Sequence, residues 1–258
     1  MNKKLVNKRG ILFFTFLCCM VYGVSYVTRI NFTAMISEII KVEGITKSAA
    51  SFVTTSLFIA YGAGQLIFGA VGDRVDAKKF IFIGLFASSV LNFLMPFTGN
   101  IYIMSAIWFL NGFAQAIMWP SLAKITADYL SLEGYKKICV SISISSSAAT
   151  IGIYILVPAL LMVLPYKMIF VICGVIGVAA SAVWAFKIGN VDKQREDVCE
   201  ETGNSTSLGA RESRVFGKPL IISMIFIGIA ICIQGILKSL YFHHYYIALC
   251  KFFLLQMA

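Results

Sequence analysis

The sequence predicts an all-α integral membrane protein built from long spanning helices, and three observations lead there. Of its 258 residues 59% are hydrophobic and 13% charged, whereas soluble domains use roughly 45–50% apolar and about 25% charged residues. The apolar residues arrive in blocks of the length a helix needs to cross ~30 Å of hydrocarbon with every backbone polar group paired inside the segment. Lys and Arg fall between these blocks and form no continuous stripe along one helix face. The formal charge of +10 therefore speaks of orientation in a bilayer and not of a nucleic acid partner, which would require a basic face.

Seven blocks qualify, near 11–36, 50–72, 79–98, 101–123, 138–164, 167–186 and 219–237. The first outlasts the apolar region of a cleavable signal peptide and reads as a retained span. Basic residues collect on alternate connections: Lys3, Lys4, Lys8 and Arg9 before the first span, Arg74, Lys78 and Lys79 after the second, Lys124, Lys136 and Lys137 after the fourth, and Lys187 to Lys218 after the sixth. The other connections carry Lys41, Lys47 and Lys167. The positive-inside rule then puts the amino terminus in the cytoplasm. Residues 1–187 form a six-span unit, 188–218 a polar Gly/Ser/Thr-containing cytoplasmic linker, 219–238 a seventh spanning helix, and 239–258 a tail of different character. Its His243 and His244 lack the companions of a metal site, and the seven cysteines lack C-x-x-C spacing, so neither a metal nor another cofactor is expected.

Arg29 is the residue with most to say about chemistry. A guanidinium near the bilayer centre costs at least about 2.5–3.5 kcal/mol on insertion scales, which makes a retained one a functional candidate. Two readings stand. Ile11 to Thr28 is nearly a full crossing, so Arg29 could snorkel to the outer interface; yet Ile30, Phe32, Ala34, Met35 and Ile36 continue the apolar helix beyond it. Tyr22, Tyr26, Arg29 and Thr33 share one helix face. Similar stripes are Thr54, Phe58, Tyr61 and Gln65; Trp108, Gly112, Gln115 and Trp119; and Ser143, Ser147, Thr150 and Tyr154. The serines suit helix packing, whereas Tyr26, Arg29 and Gln115 are too bulky and polar for it and are expected to line a cavity. Between the second and third spans, Gly69, Asp73, Arg74 and Lys78 make a compact glycine and charge cluster, in which Asp73 could accept from a helix amino end.

With these residues in view a family emerges. Gly69, Asp73, Arg74, Lys78 and Lys79 resemble the loop signature of the major facilitator superfamily, with Asp76 and Ala77 in place of its usual Gly and Arg. Tyr22 to Phe32, Tyr61-Gly62 and Trp108 to Pro120 resemble the organophosphate:phosphate antiporter branch, which includes glycerol-3-phosphate and hexose-phosphate carriers. The resemblance runs from about residue 10 to Lys238. It implies the amino-terminal six-helix half of such a carrier plus a seventh helix. It also implies a phosphate-gripping role for Arg29 and Lys238, assisted by Tyr22, Tyr26, Gln65 and Gln115, and a gating role for the loop. Gln65 stands where sugar-phosphate carriers often have Lys, and Ser147 where glycerol-3-phosphate carriers have His, so no particular substrate carries over. Beyond Lys238 the family's continuation is missing, as after a frameshift or early stop.

The expected function is secondary transport of a small phosphorylated or other organic anion, by exchange with inorganic phosphate, in the cytoplasmic membrane. The expected partners are that anion, phosphate and lipid. Two alternatives remain: a transport-inactive fragment that needs a second half or self-association, and a membrane sensor that binds the ligand without moving it. No paired carboxylates or nucleophile with base indicate an enzyme.

Overall fold

The computed structural model describes residues 2–5, 7–71 and 76–198. Asp73, Arg74, the span expected at 219–238 with Lys238, and the tail 239–258 lie outside the described residues. Six of the helices or helix pairs are long and apolar enough to cross a membrane. They are α1 (Lys8–Glu43), α2 (Lys47–Val71), α3 (Ala77–Leu94), α4 with α5 (Ile101–Ala116 and Met118–Tyr129, one span in two pieces), α6 (Leu132–Leu161) and α7 (Tyr166–Asp192).

Each of the six spans expected within the described residues has its helix, but several helices run past the apolar block that announced them. Hydropathy ends at the first charges, whereas the backbone keeps its i to i−4 bonds until a capping residue offers another partner. Asn7 accepts from the Arg9 N–H at 3.0 Å and opens α1. Asp76 does the same for α3 through the Lys78 N–H, and Asn100 for α4 through that of Tyr102. Gly44 closes α1 at φ 65°, a left-handed conformation that glycine adopts without steric cost. The linker expected to begin at residue 188 therefore starts later, because α7 continues to Asp192. A short sheet that the sequence did not suggest follows: β1 (Asn2–Leu5) pairs antiparallel with β2 (Arg195–Val198), setting Lys3 opposite Asp197 and Lys4 opposite Glu196.

In packing, α2 runs along α4, α1 along α6, and α3 along α7. Along the bundle axis the interior is layered. One apolar core, with Phe14, Leu17, Leu85, Leu122 and Trp184, lies toward the rim that carries β1 and β2. A second, with Phe32, Met35, Trp108 and Phe170, lies toward the opposite rim. Between them α1, α3 and α4 contribute a belt of fully or almost fully buried polar side chains: Ser25, Thr28, Asn31, Ser88, Asn92, Asn111 and Gln115.

Glycine sets how closely α2 and α4 approach. A Cβ at Gly112 would overlap the Leu57 carbonyl oxygen in the facing helix, whereas one at Gly152 would meet nothing within 4 Å. We expect Gly112→Ala to destabilise the bundle by about 1–3 kcal/mol, the usual cost of overpacking a filled interface, and Gly152→Ala to have little effect. Thermal unfolding of the two purified variants in the same detergent measures the contrast.

Candidate functional site

Helix lengths fix the depth of Arg29. At 1.5 Å per residue α1 is about 54 Å long, and Arg29 lies about 21 Å from its Glu43 end, roughly 5 Å from the helix midpoint. Tyr61 of α2 and Gln115 of α4 lie the same number of residues from their own ends at that rim. Half-buried Arg29 does not reach for the nearer rim. Its guanidinium carbon sits 4.1 Å from the centroid of the Tyr26 ring, one turn toward the bilayer middle, and 4.9 Å from that of Tyr61 across on α2. The snorkelling geometry is not the one adopted.

Among the described residues no carboxylate comes within ion-pair distance of Arg29. The two rings substitute for one. A desolvated cation–π contact contributes up to about 2 kcal/mol, so two of them are comparable with the insertion cost of about 2.5–3.5 kcal/mol. Ring contacts differ from an ion pair in what they leave over, because guanidinium has five N–H donors in a planar fork and stacking uses few of them. The cation is thus held in place with most of its hydrogen-bonding capacity open to an anion.

The aromatic strip continues along α1. Tyr26 and Tyr22 have ring centroids 5.3 Å apart, and Tyr22 lies 5.6 Å from Trp119 of α5. Beside Trp119 opens a groove of about 680 Å³ along α6, bordered by Cys139, Ser143, Ile144, Ser147 and Ile151. Tyr61 and Trp119 stood in the polar stripes of the sequence without being chosen as ligand residues. The cue was their spacing relative to Gln65 and Gln115, but periodicity does not say which neighbouring helix a stripe faces.

Gln115 is placed differently from the expectation. It is 1% exposed and belongs to the polar belt, where the two N–H protons of its Nε2 face three acceptors, the Ser25 carbonyl at 3.0 Å, the Thr28 hydroxyl at 3.0 Å and the Ser88 hydroxyl at 2.7 Å, while its Oε1 is buried without a partner among the described residues. In hydrocarbon a primary amide has no water to satisfy it, so it is drawn into the bundle by other polar groups. The rest of the belt follows suit. Asn92 and Asn111 both donate to the Thr28 carbonyl, at 2.9 and 3.1 Å, and Asn31 donates to Asn92 at 2.6 Å. Sequence reading passed over Asn31, Asn92 and Asn111, although amides inside apolar blocks were visible there.

Gln65 also has a structural partner. Pro120 lacks an N–H and its ring crowds the carbonyl four residues earlier, which interrupts the α4 to α5 helix at Ala116. Gln65 Nε2 donates to that released Ala116 carbonyl at 3.1 Å. Of the loop residues, Gly69 has open space around its Cβ position, so the close helix approach expected there is not made within the described residues. Lys78 pairs with Asp192 of α7 at 2.7 Å, where Asp192 also accepts from the Tyr129 hydroxyl. The structure thus brings Tyr22, Tyr26, Arg29 and Tyr61 together in one strip and sets Gln115 behind it. Lys78 stands apart at the rim.

Comparison with known proteins places this geometry in a family. The Major Facilitator Superfamily profile matches residues 15–252. The chain belongs to that superfamily. It is similar to the membrane sensor protein UhpC of Salmonella typhimurium, 33% identical over 110 residues that cover 43% of this chain and 25% of that protein. It is likewise similar to the glycerol-3-phosphate transporter of Bacillus subtilis, 31% identical over 170 residues, 62% of this chain and 37% of that protein. The matched region therefore spans well under half the length of these superfamily relatives.

The Gln65 contact yields a prediction. Gln65→Leu leaves the Ala116 carbonyl without its donor and should lower stability by about 1–3 kcal/mol, the cost of an unsatisfied buried acceptor. Gln65→Lys keeps a donor and should recover a large part of it. Melting temperatures of the two variants against wild type decide this, and equal melting of Leu and wild type would remove the assigned role.

Proposed function

We propose that this superfamily member serves in transport of a small phosphorylated or other organic anion, exchanged for inorganic phosphate by alternating access, with Arg29 as the group that grips the anion. One observation carries the reading. Arg29 lies in the middle third of the long helix α1, held by Tyr26 and Tyr61 with no carboxylate partner among the described residues. A fixed cation with donors to spare suits an oxyanion, because the planar fork of Arg matches two oxygens at once. The relative named as a glycerol-3-phosphate transporter supports a phosphorylated solute.

In this reading Tyr22 and Tyr26 orient the cation, Lys238 adds a second charge from the seventh helix, and Gln65 and Gln115 hold the surrounding helices in register. Exchange without leak requires that the empty carrier reorient slowly and that bound anion stabilise the occluded state. In the same reading the loop residues Gly69, Asp73, Arg74 and Lys78 form the inner gate and the protein works in the cytoplasmic membrane, with the basic connections supporting an amino terminus in the cytoplasm. A second half, or a second copy, completes the cavity.

A sensor reading draws on the similarity to UhpC, named as a membrane sensor protein. The two readings share the Arg29 site and differ in flux. Labelled phosphate uptake into phosphate-loaded proteoliposomes is expected to depend on internal phosphate and to fall at least about tenfold in Arg29→Gln, the loss of a charge-assisted contact of about 1.5–3 kcal/mol. Arg29-dependent binding without uptake would select the sensor. Binding indifferent to Arg29→Gln would end both.

A further inference from the structure

We propose that the groove beside Trp119 receives the organic portion of the anion, and that this portion is apolar and preferably aromatic rather than a polyhydroxylated chain or sugar. The proposal rests on Arg29 as the anion site and deepens it by naming the solute class. A row of ring contacts leads from that site to the edge of the groove: Tyr26 contacts Arg29, Tyr22 contacts Tyr26, and Trp119, which lines the groove, contacts Tyr22. Its volume of about 680 Å³ lies within the range of small-molecule sites, roughly 300–1,000 Å³.

The lining decides what fits. Trp119, Val140, Ile144, Ala148 and Ile151 supply apolar surface, and an indole face favours another flat ring. The polar groups at the groove are Ser143 and Ser147, and both hydroxyl protons are committed within α6. Ser143 Oγ donates to the Cys139 carbonyl at 2.9 Å, and Ser147 Oγ to the Ser143 carbonyl at 3.0 Å. Neither has a proton left for a solute hydroxyl. A polyol placed here would surrender hydrogen bonds to water and regain few, whereas an aryl group surrenders none.

Position adds a length requirement. Tyr22, against which Trp119 packs, precedes Arg29 by seven residues, about 10 Å along the α1 axis. The acid group and the apolar body must therefore be separated along the solute, as in an aryl phosphate, and are not served by a compact ion such as phosphate alone. Compact phosphate still binds at Arg29 but leaves the groove to water.

Competition for labelled inorganic phosphate on the full chain in lipid nanodiscs tests this, with naphthyl phosphate and glycerol 3-phosphate as competitors. Naphthyl phosphate should displace phosphate at a concentration at least about tenfold lower than glycerol 3-phosphate, the scale of one well-packed aromatic contact. Trp119→Ala should shrink that ratio. Ile144→Ala, at a position 63% exposed, which leaves no buried void, should shrink it as well if the Trp119 variant does not fold. A ratio near one, or in favour of glycerol 3-phosphate, with phosphate binding still dependent on Arg29, overturns the groove assignment and leaves the anion site standing. Phosphate binding that Arg29→Gln does not weaken removes the anion site and this inference together.

Discussion

The structure turns on a simple scarcity: within the bilayer a polar side chain has only other polar side chains to bond to. That constraint assembles the belt in which Thr28 stands at the centre. Its carbonyl accepts from Asn92 and Asn111, and its hydroxyl from Ser88 and Gln115. These contacts pin one face of α1 against α3 and α4. The next residue in the chain is Arg29, which turns roughly 100° around the helix onto the face shared with Tyr26 and Tyr61. The belt thus locks the backbone of the residue beside the cation, while the rings hold the cation itself. Apolar cores above and below keep water from the belt, and Gly177 of α7 provides the room it needs, since a Cβ there would press on Thr28 at 3.1 Å and on Ser89.

This arrangement explains why some residues were legible in the sequence and others were not. The spans were legible because lipid forbids unpaired backbone, and a run of apolar residues long enough to cross leaves few alternatives to a helix. Arg29 was legible because a charge in such a run is costly whatever surrounds it. Gln115 was legible as unusual but not as buried: the acceptors that draw it inward belong to α1 and α3, and spacing within α4 carries no record of them. Gln65 is similar, because its partner carbonyl is released by a proline on another helix. The pairing of β1 with β2 gave no periodic signal, being four residues on each strand, two of them charged in β1 and three in β2.

The two rims are held by different means. Toward the β1–β2 side, Lys78, Asp192, Tyr129 and Arg195 cluster, with Arg195 stacked 4.2 Å from the Tyr129 centroid and Trp184 donating to the Lys78 carbonyl at 3.1 Å. At the other rim Glu43 accepts from the Tyr166 hydroxyl and lies 3.6 Å from Lys167, tying the end of α1 to the start of α7. Aromatic hydroxyls and long cationic side chains suit these positions, since each offers an apolar stem to the bundle and a polar tip to the interface. Helix α7 is therefore fastened at both ends, while the α6 face that borders the groove carries exposed Val140, Ile144 and Ile151.

An even number of crossings returns the polypeptide to the side from which it set out, and the little sheet makes the return literal by laying Asn2 beside Val198. Start and finish of the six-helix body are thus nearest neighbours. Such a body is topologically closed: joining its two termini by a short bridge and cutting elsewhere, at a turn on the opposite rim such as Gly44, would rearrange the order of its helices in the gene without moving any of them in space.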